Sequence, residues 1–493
     1  MVQFLKKTKS LCPECLKVIE AELYEEQGQV TIKKNCATHG SFEDIYWSNY
    51  QEYERAAKFG YLGDGLSNPR TKTAKGCPYD CGICPEHKSH TVLAIIDVTN
   101  RCNLRCPVCF ANAATAGYVY EPTRQQIQEM LKNFRRNEPF AANALQFSGG
   151  EPTIRNDLPE LIKMAKDVGF DHVEVNTNGI RLAEDVDFIE KLMEAGADTF
   201  YLQFDGVGDD VYRITRGIDL WDIKRKAVEN ARKAGLDSMV LVPTLLRGVN
   251  DHQIGDIIRF AVENFDVIRG VNFQPVSICG RIDKKKLKET RITIPDLMEK
   301  CEEQTNGQIK MSDFYSVPVV VPISKAVGAM KGRRYSEFTV HPHCGIATFV
   351  FVEGKKITPI ARYANVEKFM EAMNKVYEDA SKGKKTRAKV RLVGSMRHVK
   401  FGLLKDLMKG VLATGSYDEL GNLIRKMILI GCMHFMDPYN FDLERVQQCC
   451  IHYGVPDGRI IPFCTMNSIH RPYIEKQFSV SLEEYRRAHG GSL

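Results

Sequence analysis

The run TNRCNLRCPVCF (99–110), directly after the apolar segment VLAIIDV (92–98), constrains this chain more than any other feature. It sets Cys102, Cys106 and Cys109 in a C-x3-C-x2-C spacing. Three thiolates can hold three irons of a four-iron cluster, whereas ferredoxin-type ligation uses four. The remaining iron is then open to a ligand from outside the protein. The same residues could instead bind zinc or pack as small apolar side chains, so the surroundings must decide.

Those surroundings alternate strand and helix. Strand-like runs fall at 92–98, 144–150, 172–179, 199–206, 238–246 and 270–277, with amphipathic stretches near 122–135, 157–168, 183–195, 219–235 and 251–265 between them. Such alternation predicts parallel strands with right-handed crossovers, in either a partial (β/α)6 barrel or a doubly wound sheet. The polar residues select the barrel. Asn100, Ser148, Gly149, Gly150, Glu151, Asn176, Asn178, Asp205 and Gln274 all fall at the C-terminal ends of strands, the reactive face of a β/α barrel. In SGGEP (148–152) the two glycines let backbone approach a ligand, and Glu151 offers a carboxylate for an ammonium group.

The cysteine run and SGGEP together resemble the radical S-adenosylmethionine (radical SAM) superfamily. That resemblance implies a TIM-like partial barrel, a SAM-binding [4Fe-4S] cluster on Cys102, Cys106 and Cys109, and one-electron cleavage of SAM to a 5′-deoxyadenosyl radical. It also implies that Ser148, Gly149, Gly150 and Glu151 seat the methionyl end of SAM, with Asn176, Asn178 and Asp205 as further contacts. The residue before the third cysteine is often aromatic in this superfamily. Here it is Val108, and Phe110 is the candidate to replace it against adenine.

The chain has 493 residues and 16 cysteines. Its N-terminus, MVQFLKKTKS, has no apolar leader segment, and no stretch reaches the ~18 apolar residues of a membrane span. Clustered cysteines in that setting predict metal ligation rather than disulfides. CPEC (12–15) followed by CATHG (36–40) suits a mononuclear tetrahedral site on Cys12, Cys15 and Cys36, with iron preferred and zinc allowed. Its fourth ligand is either His39 or a distant cysteine. GCPYDCGIC (76–84) repeats C-x3-C-x2-C with Cys77, Cys81 and Cys84, upstream of the first barrel strand, and reads as an auxiliary cluster. Cys344, Cys449 and Cys464 form a third set. Cys279, Cys301, Cys432 and Cys450 read as packing residues. The expected cofactors are SAM, three [4Fe-4S] clusters and one mononuclear metal.

Four segments follow: a rubredoxin-like metal domain (1–70), an auxiliary-cluster segment (71–90), the barrel (91–280) and an α+β C-terminal auxiliary-cluster domain (281–493). In the last, Cys344 precedes a hairpin (FVF-EGKK-ITPI). SKGKKTRAKVR (381–391) is basic, FGLLKDLMKGVL (401–412) has an amphipathic helical pattern, and LIRKMILIGCMHFM (423–436) reads as a Met-rich apolar helical segment.

Taken whole, from CPEC to the ERVQQC…PDGRIIPFC tail, the chain resembles the archaeal tetraether lipid synthase group. That resemblance implies C–C bond formation between isoprenoid chains of archaeol-type ether phospholipids. The alkyl intermediate would be stored on an auxiliary cluster, with a peripheral membrane contact and a small electron-donor protein as partners. A related reading of the same group is methylation of 7,8-dihydro-6-hydroxymethylpterin in methanopterin biosynthesis. Cytoplasmic location, with or without peripheral membrane attachment, is expected. The net charge of +6 is mild and demands no nucleic acid. A zinc scaffold touching nucleic acid through 382–391 is the rival from another class, and it leaves SGGEP without a purpose.

Overall fold

The structure, a computed structural model, describes residues 2–283, 287–400 and 426–488. Strands β1 (Val2–Leu11), β2 (Val18–Glu26), β3 (Gln29–Cys36) and β4 (Gly40–Trp47) form an antiparallel meander in chain order. Its inner face buries Leu23, Val30, Ile32 and Trp47.

The main sheet runs through β5 (Leu93–Asp97), β6 (Ala144–Ser148), β7 (His172–Thr177), β8 (Thr199–Gln203), β9 (Met239–Val242) and β10 (Ile268–Pro275), each parallel to the next. Consecutive positions such as Ile95 and Ile96 are both buried, as expected of parallel strands covered on both faces. The helices that cover them begin and end for local reasons. Thr123 and Gln126 form a reciprocal capping box at the start of Arg124–Arg135, whose Ile127, Met130, Leu131 and Phe134 face the sheet. Leu158–Val168 ends on Gly169 in the left-handed conformation. These elements reproduce the partial barrel expected from the alternation.

The C-terminal third does not stand apart from that sheet, so residue 280 marks no break in it. The expected hairpin is present as β11 (Gly345–Glu353) and β12 (Lys356–Pro359). β13 (Met427–Met433) pairs parallel to β10 on one side and antiparallel to β11 on the other. The MILIGCM segment is therefore a strand, a correction to its reading as helix. A short apolar run carries no periodicity that separates a buried strand from a buried helix. At the opposite edge β14 (Ile451–Gly454) lies parallel to β5, and β15 (Ile460–Pro462) folds back antiparallel to β14.

The meander docks onto this C-terminal part through buried polar groups. Thr8 and the Tyr46 hydroxyl donate to the two oxygens of Asp442, and Lys34 donates to the carbonyls of Pro438 and Tyr439. Arg291, 2% exposed, bridges Asp44 of β4 and Asp437 at 2.6 and 2.8 Å.

The basic run 381–391 ends in a helix, Lys385–Ser395, whose lysines and arginines face outward except for partly covered Arg391. The amphipathic pattern at 401–412 lies outside the described residues. Among those described, no helix is long and apolar enough to cross a membrane.

Candidate active site and metal centres

A cleft of about 1110 Å³, its open mouth included, lies at the C-terminal ends of the barrel strands. Cys102, Cys106 and Cys109 line it together with Ser148, Gly149, Gly150, Asn176 and Asn178. The loop bearing the thiols leaves β5 and is fixed to the loop after β6 by two backbone hydrogen bonds, Gly150 N to Thr99 O at 2.7 Å and Glu151 N to Arg101 O at 2.9 Å. Side chains would prevent this approach. A Cβ on Gly149 would sit 2.2 Å from the Thr99 carbonyl oxygen, and one on Gly150 2.1 Å from that of Arg101. The glycines thus press the cysteine loop against the barrel while leaving backbone at the cleft wall.

Glu151, expected among the SAM contacts, is bound by four protein donors. Its carboxylate is fully buried and points into the wall, accepting from Thr153 Oγ1 (2.6 Å), Thr153 N (3.1 Å), Thr177 Oγ1 (2.7 Å) and Asn178 N (2.7 Å). It locks β6 to β7 and sets Asn178 at the cleft, so the groups of SGGEP that face a ligand are Ser148 and the two glycines. Burial raises the Glu151 carboxyl pKa, although four donors oppose that shift. Burial also pushes the Cys102 thiol up to about 12, with Glu151 adding to the effect. Loading metal there must displace that proton.

Asp205 is likewise set behind the wall. It is fully buried and paired with Arg216 at 2.6 and 2.9 Å. Burial alone would raise its pKa, but the Arg216 charge and hydrogen bonds win and hold it below the usual carboxylate range. Arg216 is the partner that reaches the cleft, beside Gln203. Asn176 lines the cleft with its amide oxygen buried and unpartnered, which fits a ligand that brings an N–H or O–H. Asn178 Nδ2 donates to Asn103 Oδ1 at 2.7 Å.

Val108 and Phe110 both line the cleft, and Phe110 belongs to an aromatic group not evident from the sequence. Its ring lies 5.8 Å from that of Phe463, which stacks on Phe435 at 3.8 Å and 22°. Phe435 and Phe463 belong to the tail more than 300 positions away in sequence, so no local pattern announces them. Asn467 also lines the cleft, from a π-helical turn at Met466–His470, an irregularity frequent at functional sites.

Behind this aromatic wall the third cysteine set comes together. Cys344 and Cys449 both raise the pKa of Cys464, itself already raised by burial. Burial pushes Cys449 up to about 12. Cys344 Sγ accepts from the buried Arg445 Nε at 3.3 Å, and Cys464 Sγ from Met436 N at 3.3 Å. Cys450, adjacent to Cys449 in sequence, instead packs beside Ser89 and Thr339. Cys77, Cys81 and Cys84 line a separate cavity of about 270 Å³. Cys77 has its thiol pKa raised by its hydrogen bond with Cys81 and by burial.

The fourth centre is compact. The ligand atoms of Cys12, Cys15, Cys36 and His39 lie within 4.8 Å of one another. His39 Nδ1 is 3.6 Å from both Cys12 Sγ and Cys36 Sγ, and Cys15 Sγ is 4.0 Å from Cys36 Sγ. A tetrahedron with metal–sulfur bonds of about 2.3 Å has edges of roughly 3.8 Å, so these groups fit one ion. Of the two candidates for the fourth ligand, His39 is the one that lies beside the three thiols. The Thr38 backbone N–H and the His39 ring lower the Cys36 thiol to about 6, favouring the thiolate a metal requires.

Comparison with known proteins agrees with this anatomy. Residues 96–261 match the radical SAM superfamily, and residues 4–48 match the HMPTM N-terminal zinc ribbon domain. The chain is 50% identical, over 98% of its length and 97% of the relative's, to the 7,8-dihydro-6-hydroxymethylpterin dimethyltransferase of Methanocaldococcus jannaschii. A probable GTP 3′,8-cyclase of Methanothermobacter marburgensis is 29% identical over 39% of this chain and 61% of its own. Among solved structures, Streptococcus suis SuiB bound to its precursor peptide SuiA covers 45% of this chain and 46% of its own, with a TM-score of 0.36 and 16% identity. The full-length match overturns the expectation of a tetraether lipid synthase: the relative that this chain matches from end to end bears the name of a pterin enzyme. Cluster-rich architecture and apolar segments do not single out a hydrocarbon substrate.

Proposed function

Since the chain is a radical SAM enzyme and belongs to the family of the Methanocaldococcus jannaschii 7,8-dihydro-6-hydroxymethylpterin dimethyltransferase, we propose that it methylates that dihydropterin. The observation that carries the proposal is the 50% identity over nearly the whole of both chains.

The cleft residues fit SAM and its cluster. Three thiols, a glycine-lined wall and an unpartnered buried amide oxygen converge on one space. When bound there, a reduced four-iron cluster with SAM supplies a 5′-deoxyadenosyl radical able to remove a hydrogen atom from an unactivated carbon. Cys102, Cys106 and Cys109 would hold three irons of that cluster, in the same cleft that Ser148, Gly149 and Gly150 line. The Asn176 amide oxygen would accept from the ligand, and Glu151 would keep the wall rigid from behind. Phe110, Phe435 and Phe463 offer apolar ring faces to a flat heterocycle. Gln203 and Gln274, both at the cleft, offer amide donors and acceptors to its polar edge. The Arg216 cation beside them is fixed by Asp205 and lends the cleft positive charge.

The sets Cys77/Cys81/Cys84 and Cys344/Cys449/Cys464 would each hold a further iron–sulfur cluster. For the meander, Cys12, Cys15, Cys36 and His39 form a Cys3His set typical of structural zinc. We therefore favour zinc there over iron.

Expression in a host that makes 7,8-dihydro-6-hydroxymethylpterin, followed by mass spectrometry of extracted pterins, tests the reading. Mono- and dimethylated pterins are expected with the native chain and not with Cys106→Ser. Unmethylated pterin alone in both, with the native protein carrying its clusters, would reject the substrate.

A further inference from the structure

The set Cys77, Cys81 and Cys84 supplies three thiolates, and a four-iron cluster not meant to bind an outside ligand needs a fourth group. The sequence continues C77-x3-C81-x2-C84-x2-H87. His87 N donates to Cys84 O at 3.0 Å, closing a turn directly after the third cysteine. The three cysteines and His87 line the same cavity of about 270 Å³, its open mouth included, together with Ile83, Val446, Gln447 and Pro462.

The other cysteines are committed elsewhere. Cys449 and Cys464 share the set with Cys344, and Cys12, Cys15 and Cys36 surround His39. Cys279 lies against Ser277 and Ser468, and Cys450 against Ser89 and Thr339. Cys301 and Cys432 sit in the main apolar core. Among the cavity-lining side chains, only His87 and Gln447 could add a ligand atom beyond the thiols, and imidazole is much the better ligand for iron.

His87 is also held in the right tautomer. Its Nε2 lies 2.8 Å from the Cys449 carbonyl oxygen. A carbonyl only accepts, so the proton is on Nε2 and the Nδ1 lone pair is free. The Nε2 of His452, 3.2 Å away on the same side, shares that proton as a second acceptor. Metal-bound histidines are oriented in this manner, with the far nitrogen donating to a carbonyl. No hydrogen bond to Nδ1 is present among the described residues.

We propose that His87 Nδ1 is the fourth protein ligand of an iron–sulfur cluster on Cys77, Cys81 and Cys84, closing that centre to substrate. The proposal rests on that set holding a cluster. The neutral imidazole gives its lone pair to iron, and no proton or electron leaves the site. A neutral ligand in place of a thiolate raises a cluster's potential.

The test uses full-length protein reconstituted anaerobically, with Cys102, Cys106 and Cys109 all changed to Ser to remove the cleft signal. With 15N-histidine incorporated, pulsed electron paramagnetic resonance of the reduced protein should show a directly bound histidine nitrogen. His87→Gln should abolish that coupling. His87→Cys, which keeps four ligands, should retain the iron and lower the midpoint potential of that centre. A full iron complement at Cys77/Cys81/Cys84 with no histidine coupling overturns the assignment. If Cys81→Ser leaves iron and sulfide unchanged from the parent, the set holds no cluster, and the underlying reading fails as well. The two failures are told apart by the iron count.

Discussion

The chain contains C-x3-C-x2-C twice, and the two copies meet different surroundings. Cys102, Cys106 and Cys109 face a wide cleft at the strand ends, with two glycines and an unpartnered Asn176 oxygen opposite. Cys77, Cys81 and Cys84 face a cavity about a quarter as large, which they share with the His87 imidazole, Ile83, Val446, Gln447 and Pro462. Equal spacing therefore does not mean equal chemistry. Whatever faces the uncommitted corner decides whether a centre receives a small molecule or is sealed. The copy we propose to be sealed by His87 precedes β5, whereas the copy at the cleft follows it. Only the latter has a strand end to open onto.

Breaking either triplet should expose the contrast most strongly. Cys106→Ser is expected to reduce SAM-dependent release of 5′-deoxyadenosine to background. Cys81→Ser should leave SAM binding, measured by equilibrium dialysis, within a factor of about two of native, since its cavity is separate. Equal loss of SAM binding in both variants would erase the distinction. Next in size is Gly150→Ala, whose added methyl meets the Arg101 carbonyl. It should destabilise the fold by about 1–3 kcal/mol in chemical denaturation and weaken SAM binding as the cysteine loop lifts. A matching Gly76→Ala beside the sealed triplet meets no atom within 4 Å, but its φ of 83° strains any side chain. Its cost should stay near about 1 kcal/mol, with SAM affinity unchanged.

A further effect, spread over pH, concerns charge behind the open site. Lys224 donates to the Asn178 carbonyl, and burial, with help from Arg216, lowers its pKa to about 7. Its unfolded value lies near 10.4, so between those pH values the unfolded chain binds more protons than the folded one. Stability should therefore rise with pH across that window, by up to about 1.4 kcal/mol per unit from this group. Lys224→Met should lack that increment. Parallel denaturation curves of the two proteins from pH 7 to 9.5, differing by a constant offset, would reject the assignment.

Much of this was legible in the chain because the signals are local. The barrel strands, the hairpin at β11–β12 and the cysteine spacings at 12–36, 77–84 and 102–109 follow from patterns within a few dozen residues, whereas Cys344, Cys449 and Cys464 are spread over more than a hundred. What the sequence hid depends on long-range neighbours. Glu151 and Asp205 look like ligand-facing carboxylates until Thr153, Thr177 and Arg216 are seen to occupy them. The MILIGCM run becomes a strand only because β10 and β11 lie on either side of it. His39 was weighed as one of two ligands because a turn at Thr38 cannot be inferred from the letters alone. The substrate is hidden from the sequence for a related reason. Met-rich apolar segments are needed to build interior strands such as β13, and their presence says little about what enters the cleft.

The pairing of β14 with β5 has a consequence for how the molecule is made. The first barrel strand waits on a partner from the last tenth of the chain, and Phe463 and Asn467 reach the cleft from the same stretch. During synthesis the cysteine loop at 102–109 leaves the ribosome long before its enclosing wall exists. Metal delivery to a finished pocket thus has to follow chain release, and a transcript cut short of that stretch would yield bare thiols open to oxygen.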